Sequence, residues 1–165
     1  MLSQRDRFLM LATLVIVACG NCNVAAAQDG GGRAKDEVGI RSTMAAYNAA
    51  LNGGETSMVM PLYTEDGVFM PPYSRSAVGK DSVHRAYDAV FRELKFHVKF
   101  NVAEIAIIAP TWAFVRTNSA GMTDHHSTGK TTAEANQELF IFQKGDDGKW
   151  RIARYSFSPT NAPGN

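Results

Sequence analysis

Apolar and polar positions follow a helical period in the first half of this chain and a strand period in the second. Ile40, Met44, Tyr47 and Leu51 recur at steps of three and four, which puts them on one helical face. That helix is expected to open near Asp36, a candidate cap, and to stop at Asn52-Gly53-Gly54. A second, short helix is expected over Glu55–Tyr63, with Met58, Leu62 and Tyr63 as its apolar side. Val68-Phe69-Met70 reads as a short strand between a turn at Thr64–Gly67 and the pair Pro71-Pro72. Asp81 or Ser82 can cap a third helix whose face is Val83, Tyr87, Val90, Phe91 and Leu94.

From there the period becomes two. Phe96, Val98, Phe100 and Val102 alternate with His97, Lys99 and Asn101, and the strand is expected to run to Ile108. Ala109-Pro110 turns, and Trp112–Met122 forms the next strand. Thr123–Gly129 is expected as an exposed loop. Thr131–Lys144 and Trp150–Ser158 close the pattern as a hairpin around Gly145-Asp146-Asp147-Gly148, whose residues tolerate a tight reversal. The run Leu139–Phe142 is too continuously apolar for a sheet with one wet face. One face is expected to meet the chain's own helices and the other a second subunit, giving a homodimer through the sheet.

This order predicts an α+β fold. Its cone-shaped, curved antiparallel sheet has four long strands plus a short one and packs on three N-terminal helices. Helices cannot fill such a cone to its end, so an open pocket is expected at the mouth.

Composition narrows the partners. At 165 residues the chain is one domain plus extras, and a net charge of +1 gives nucleic acid no electrostatic footing. The domain is expected over 36–160 with a short tail at 161–165. Arg5 and Arg7 precede an apolar stretch, Phe8–Ala18, that is too short for a membrane span, and Ala25-Ala26-Ala27 fits a cleavage site. Residues 1–27 thus read as a signal peptide for a periplasmic or secreted product, and 28–35, with three glycines, as a flexible leader. A second reading stays open: Ile16-Val17-Ala18-Cys19 is similar to a lipobox, which would make Cys19 a lipid anchor. Cys19 and Cys22 are the only cysteines, so cleavage after Ala27 removes every disulfide, thiol nucleophile or Cys-based zinc site. No HExxH or Gly-rich phosphate loop is present, and neither a metal nor a cofactor is expected.

Four strings carry a resemblance: MAAYNAALNGG, LYTEDGVFMPP, VGKDSVHRAY and GDDGKWRIARYSF. Taken in this order, they resemble the nuclear transport factor 2-like superfamily over about Asp36–Pro159. This group includes ketosteroid isomerase, scytalone dehydratase and the SnoaL-like polyketide cyclases. The resemblance implies the cone fold and proton-transfer chemistry on a carbonyl compound: isomerase, cyclase or lyase, without metal. It places Tyr47 where the isomerase has an oxyanion donor, although Tyr47 also shares the core face of Met44 and Leu51. The position of the isomerase's aspartate base falls on Pro71, which cannot take a proton. A non-catalytic dimeric binding or association module is therefore the alternative.

The remaining polar residues come in pairs two apart: Arg116 with Asn118, and Asn136 with Glu138. Across an antiparallel ladder these pairs can meet. If their face lines the cone, Glu138 is the best remaining base, with Tyr47 as acid or oxyanion donor. Tyr63, Met70, Trp112, Arg116, Asn118 and Asn136 are then the expected ligand contacts, for a small, mostly apolar molecule. A register slip of one residue would move such a set to the opposite face, at a subunit interface.

Overall fold

The structure, a computed structural model, describes residues 22–161, with side chains over 30–161. The expected lipidation site, Cys19, lies outside them, and the expected cleavage site after Ala27 falls within the backbone of the first helix, before the described side chains begin. Helix α1 spans Cys22–Gly53, α2 spans Thr56–Val59, and a single 3₁₀ turn covers Met60–Leu62. Strand β1 is Tyr63–Met70 and β2 is Ala77–Val78. Helix α3, Lys80–Glu93, leads into β3 (Leu94–Ala109), β4 (Trp112–His125), β5 (Lys130–Lys144) and β6 (Trp150–Pro159). Among the described residues no helix is long and apolar enough to cross a membrane.

All six strands form one sheet in the order β2-β1-β6-β5-β4-β3. The fold is the expected α+β cone, with two differences in the sheet. A two-residue strand, β2, joins β1, and β1 pairs with β6 in parallel, so the sheet is mixed. The parallel pairing arises because the chain between β1 and β6 crosses α3 and the whole β3–β5 meander before returning. Parallel neighbours need such a crossover.

Helix α1 buries the predicted face: Ile40, Met44, Tyr47 and Leu51 lie in the core. Burying each such side chain stabilises the fold by roughly 1.5–3 kcal/mol. The helix starts earlier than expected, and Gly30–Gly32 of the presumed leader lie inside it. Asp36 is consequently not a cap. It sits within the helix, accepts a hydrogen bond from Trp150 Nε1 at 3.0 Å, and pairs with Lys144 Nζ at 2.6 Å. Asp36 thus ties α1 to the β5–β6 hairpin. The end of α1 is as read: Gly54, at φ +75°, donates its N–H to Ala50 and Leu51 carbonyls. Helix α3 is preceded by Gly79 with no side-chain cap, so neither Asp81 nor Ser82 has the expected role.

β3 is the outer strand of the sheet, and α1 satisfies part of its free edge. Asn48 and Asn52 both donate to the Val98 carbonyl, at 2.9 and 2.7 Å. Asn52 Oδ1 accepts from Val98 N at 2.9 Å. An edge covered in this way cannot recruit a foreign strand there. Opposite this clamp, β4 carries Gly121. A Cβ at that position would lie 2.1 Å from the His97 carbonyl oxygen, so only glycine lets the two strands approach so closely.

Candidate functional site

Alternation on β4 and β5 decides which side chains face the helices. On β4 the inner set is Ala113, Val115, Thr117 and Ser119, all buried. On β5 it is Asn136, Glu138, Phe140 and Phe142, also buried. Register joins them, with Thr117 opposite Glu138 and Ser119 opposite Asn136. On β6, Tyr155 lies opposite Phe140, and the two rings stack with centroids 4.1 Å apart. Phe69 of β1 stacks in turn on Tyr155 at 5.5 Å and on Tyr87 of α3 at 4.9 Å.

These rings wall a cavity of about 240 Å³. Its sides are Phe69, Tyr87, Phe96, Phe100, Tyr155 and Phe157, and Pro71 and Pro72 also border it. One end is polar, formed by Ser119, Glu134 and Asn136. Behind this end lies Glu138, 4% exposed, its two carboxylate oxygens accepting from the Thr117 and Ser119 hydroxyls. Burial raises the Glu138 carboxyl above its ordinary value; the two hydroxyl donors oppose that rise and the nearby Glu134 charge adds to it. Glu134 is itself held by Asn136 Nδ2 at 2.7 Å and Thr123 Oγ1 at 3.3 Å. Asn136 Oδ1 is buried without a hydrogen-bond partner among the described residues.

Next to the rings is a tyrosine cluster. The Tyr87 hydroxyl hydrogen-bonds Tyr47 at 2.7 Å and Tyr63 at 3.0 Å. Burial pushes the pKa of all three hydroxyls, and of Tyr155, above the ordinary tyrosine value, so each remains a neutral hydroxyl at physiological pH.

The sequence-derived site is brought together in part. Asn136 lines the cavity, and Glu138 stands one hydroxyl behind it. Tyr47 and Tyr63 are fully buried and touch the cavity through their bonds to Tyr87. Four expected contacts are elsewhere. Arg116 and Asn118 occupy the outer face of β4, where Arg116 Nε pairs with Glu104 at 2.7 Å. Trp112 shares their parity. Met70 shares the outer parity of its neighbour Ser156, while Phe69 turns inward. The expected pairing of Arg116 with Glu138 thus fails by one residue of register: Arg116 faces Leu139 and Thr117 faces Glu138.

Residues that sequence reasoning did not single out are Thr117, Ser119, Glu134 and the aromatic wall. A signal for them is present. Ala113, Val115, Thr117 and Ser119 are smaller than the interleaved Trp112, Phe114, Arg116 and Asn118. Only small residues leave room for the large rings of β5 and β6 on the inner side.

The family model described as the SnoaL-like domain matches residues 44–153. The chain belongs to the SnoaL-like domain family. Its structure is similar to that of a ketosteroid isomerase-like protein from Erwinia carotovora atroseptica SCRI1043, with 36% identity over 74% of this chain and 95% of that one, at a TM-score of 0.72. A nuclear transport factor 2 (NTF2-like) superfamily protein from Salmonella enterica shares the fold at 13% identity and a TM-score of 0.70, covering 80% of this chain and 96% of the other. So does the hexachlorocyclohexane dehydrochlorinase LinA-type3 from Novosphingobium barchaimii LL02, at 9% identity, a TM-score of 0.71, and coverages of 81% and 94%. No curated protein matches the chain. This domain has Pro71 at the cavity wall and two glutamates on β5.

Proposed function

We propose that the protein binds a small, mostly apolar carbonyl-type molecule in the cone and transfers a proton on it. The observation that carries this reading is an aromatic cavity with a buried carboxylate, Glu138, one hydroxyl from its polar end. Tyr155 hydrogen-bonds Tyr47 as well, so four tyrosine hydroxyls share three hydrogen bonds and one of their four protons stays free to meet a carbonyl oxygen. Tyr87 borders the cavity and presents that donor, with Tyr47 and Tyr63 positioning it. At the polar end the Ser119 proton passes to Glu138 as Ser119 Oγ takes a proton from the substrate carbon next to the carbonyl. The reverse transfer returns it, and no proton is gained or lost. Because burial holds the Glu138 carboxyl above its ordinary value, it is a better proton acceptor than an exposed glutamate once ionised.

The test is exchange of the proton beside the carbonyl in D₂O, followed by NMR on acetophenone-sized ketones. The wild-type protein accelerates exchange and Glu138→Gln does not. Equal exchange with both proteins would overturn the role of Glu138.

A second reading is supported by the outer face. Trp112, Phe114, Leu139 and Ile141 share that face, with Leu139 at 42% exposure, and among the described residues no helix covers it. Ion pairs of both signs, Arg116–Glu104 and Arg154–Asp66, flank it, so it is complementary to a second copy of itself. The protein is then a homodimer through its sheet, and Pro71 in place of a base suits a binding module. Leu139→Lys converting a dimer into a monomer in analytical ultracentrifugation would support it; an unchanged monomeric wild type would exclude it. Export to the periplasm or medium completes the proposal. A mature N-terminus at Gln28 by mass spectrometry supports a signal peptide, and a lipidated Cys19 replaces it with an anchor.

A further inference from the structure

The charges around the cavity are one-sided. Among the described residues that line it, Glu134 is the acidic one, and no lysine, arginine or histidine lines it. Glu134 is half-buried on the inner face of β5, and its cross-strand neighbour, Gly121, has no side chain to cover it. Its oxygens accept from Asn136 Nδ2 at 2.7 Å and Thr123 Oγ1 at 3.3 Å, both neutral donors. A carboxylate has about four acceptor sites, so two donors leave capacity for more. Glu37, Glu65 and Glu104 each pair with a basic side chain; among the described residues Glu134 has no such pair. Glu138, behind Ser119, adds a second carboxyl to this end and no base.

A carboxylate partly withdrawn from water and left without a counter-charge is costly, and a ligand that supplies the charge offsets that cost. The walls are aromatic, and a ring face attracts a cation. Resting on the proposed carbonyl reading, we infer that the ligand carries a protonated amine, held by Glu134, on an otherwise apolar carbonyl skeleton. Glu134 sets specificity and takes no part in the proton transfer. A metal ion is a poorer occupant, because among the described residues no three His, Cys, Asp or Glu side chains come together to coordinate one. A carboxylate or phosphate is repelled by Glu134 and meets no basic side chain in the lining.

Calorimetric titration of the full-length protein tests this. The compounds are acetophenone, 3- and 4-acetylbenzylammonium, the matching ethylacetophenones (a methyl group in place of the ammonium), 4-acetylbenzoate and benzylammonium. At least one acetylbenzylammonium binds about 10-fold or more tightly than its ethyl counterpart, and the benzoate binds weakest. Glu134→Gln reduces that ratio to about 2-fold or less, while Asp146→Asn, in the exposed β5–β6 turn, keeps the wild-type ratio. If Glu134→Gln does not fold, the ratio on the wild-type protein decides alone. Equal binding of ammonium and ethyl compounds overturns the cation assignment and leaves the carbonyl reading intact. An undiminished ratio in Glu134→Gln overturns the assignment to Glu134, and tightest binding by the benzoate overturns the sign of the charge. Benzylammonium binding as tightly as its acetyl derivatives supports the cation and overturns the carbonyl reading. Failure of every compound overturns both.

Discussion

Ser119 stands between Glu138 and the cavity, with its hydroxyl donating to the buried carboxylate and its oxygen forming part of the wall. From the cavity, the route to Glu138 runs through Ser119. Ser119→Ala is therefore expected to suppress proton exchange nearly as strongly as Glu138→Gln, while leaving the aromatic wall and its affinity for apolar ketones in place. Losing one donor to a buried carboxylate also costs about 1–3 kcal/mol, readable by urea unfolding.

The pH dependence of stability follows from the raised Glu138 pKa. In the folded protein this carboxyl holds its proton at higher pH than the ordinary glutamate value of 4.5. The stabilising contribution is thus complete below that value and is lost as pH rises through the folded pKa. Glu138→Gln removes this loss. Its melting temperature relative to wild type should rise from pH 4 to pH 8, as read by calorimetry; a constant difference would mean that Glu138 does not titrate in this window.

Tyr87 is the shared partner of two buried hydroxyls. Tyr87→Phe leaves Tyr63 unpaired and Tyr47 with Tyr155 alone, and should cost about 1–3 kcal/mol, whereas Tyr63→Phe leaves Tyr87 bonded to Tyr47 and costs less. The combined loss should fall short of the sum of the two single losses, because both remove the Tyr63–Tyr87 bond. Denaturation curves of the three variants check this.

Gly121 is set by backbone contact. Gly121→Ala would drive a methyl group into the His97 carbonyl and the Val98 Cα, 2.1 and 2.7 Å away. Backbone in a paired strand cannot yield cheaply, so a loss of about 3 kcal/mol is expected in chemical denaturation.

Arg116→Ala and Asn118→Ala should leave ketone affinity unchanged, since both side chains lie on the outer face. Tyr155→Ala removes a ring that borders the cavity and stacks on Phe69 and Phe140, and should weaken binding about 10-fold or more. Calorimetric titration with one bound ketone separates the two groups.

The sequence by itself determined the elements and their faces as sets. Helical spacing picked out Ile40, Met44, Tyr47 and Leu51, and period two tied Asn136 to Glu138 and Phe140. It even grouped Arg116 with Asn118 correctly, as neighbours on one face. Which set turned inward was not determined, because alternation defines two equivalent faces and names neither. Tertiary structure decided it by volume: the rings of Phe140, Tyr155 and Phe100 fill the space over β4, so the small residues Thr117 and Ser119 turn inward and the bulky Arg116 outward. The helix around Asp36 was likewise legible as a period, while its use as an anchor for Lys144 and Trp150 joins residues more than a hundred positions apart. No local pattern carries such a contact. The meeting of Ser119 with Glu138 is of the same kind, fixed only when two strands settle into register.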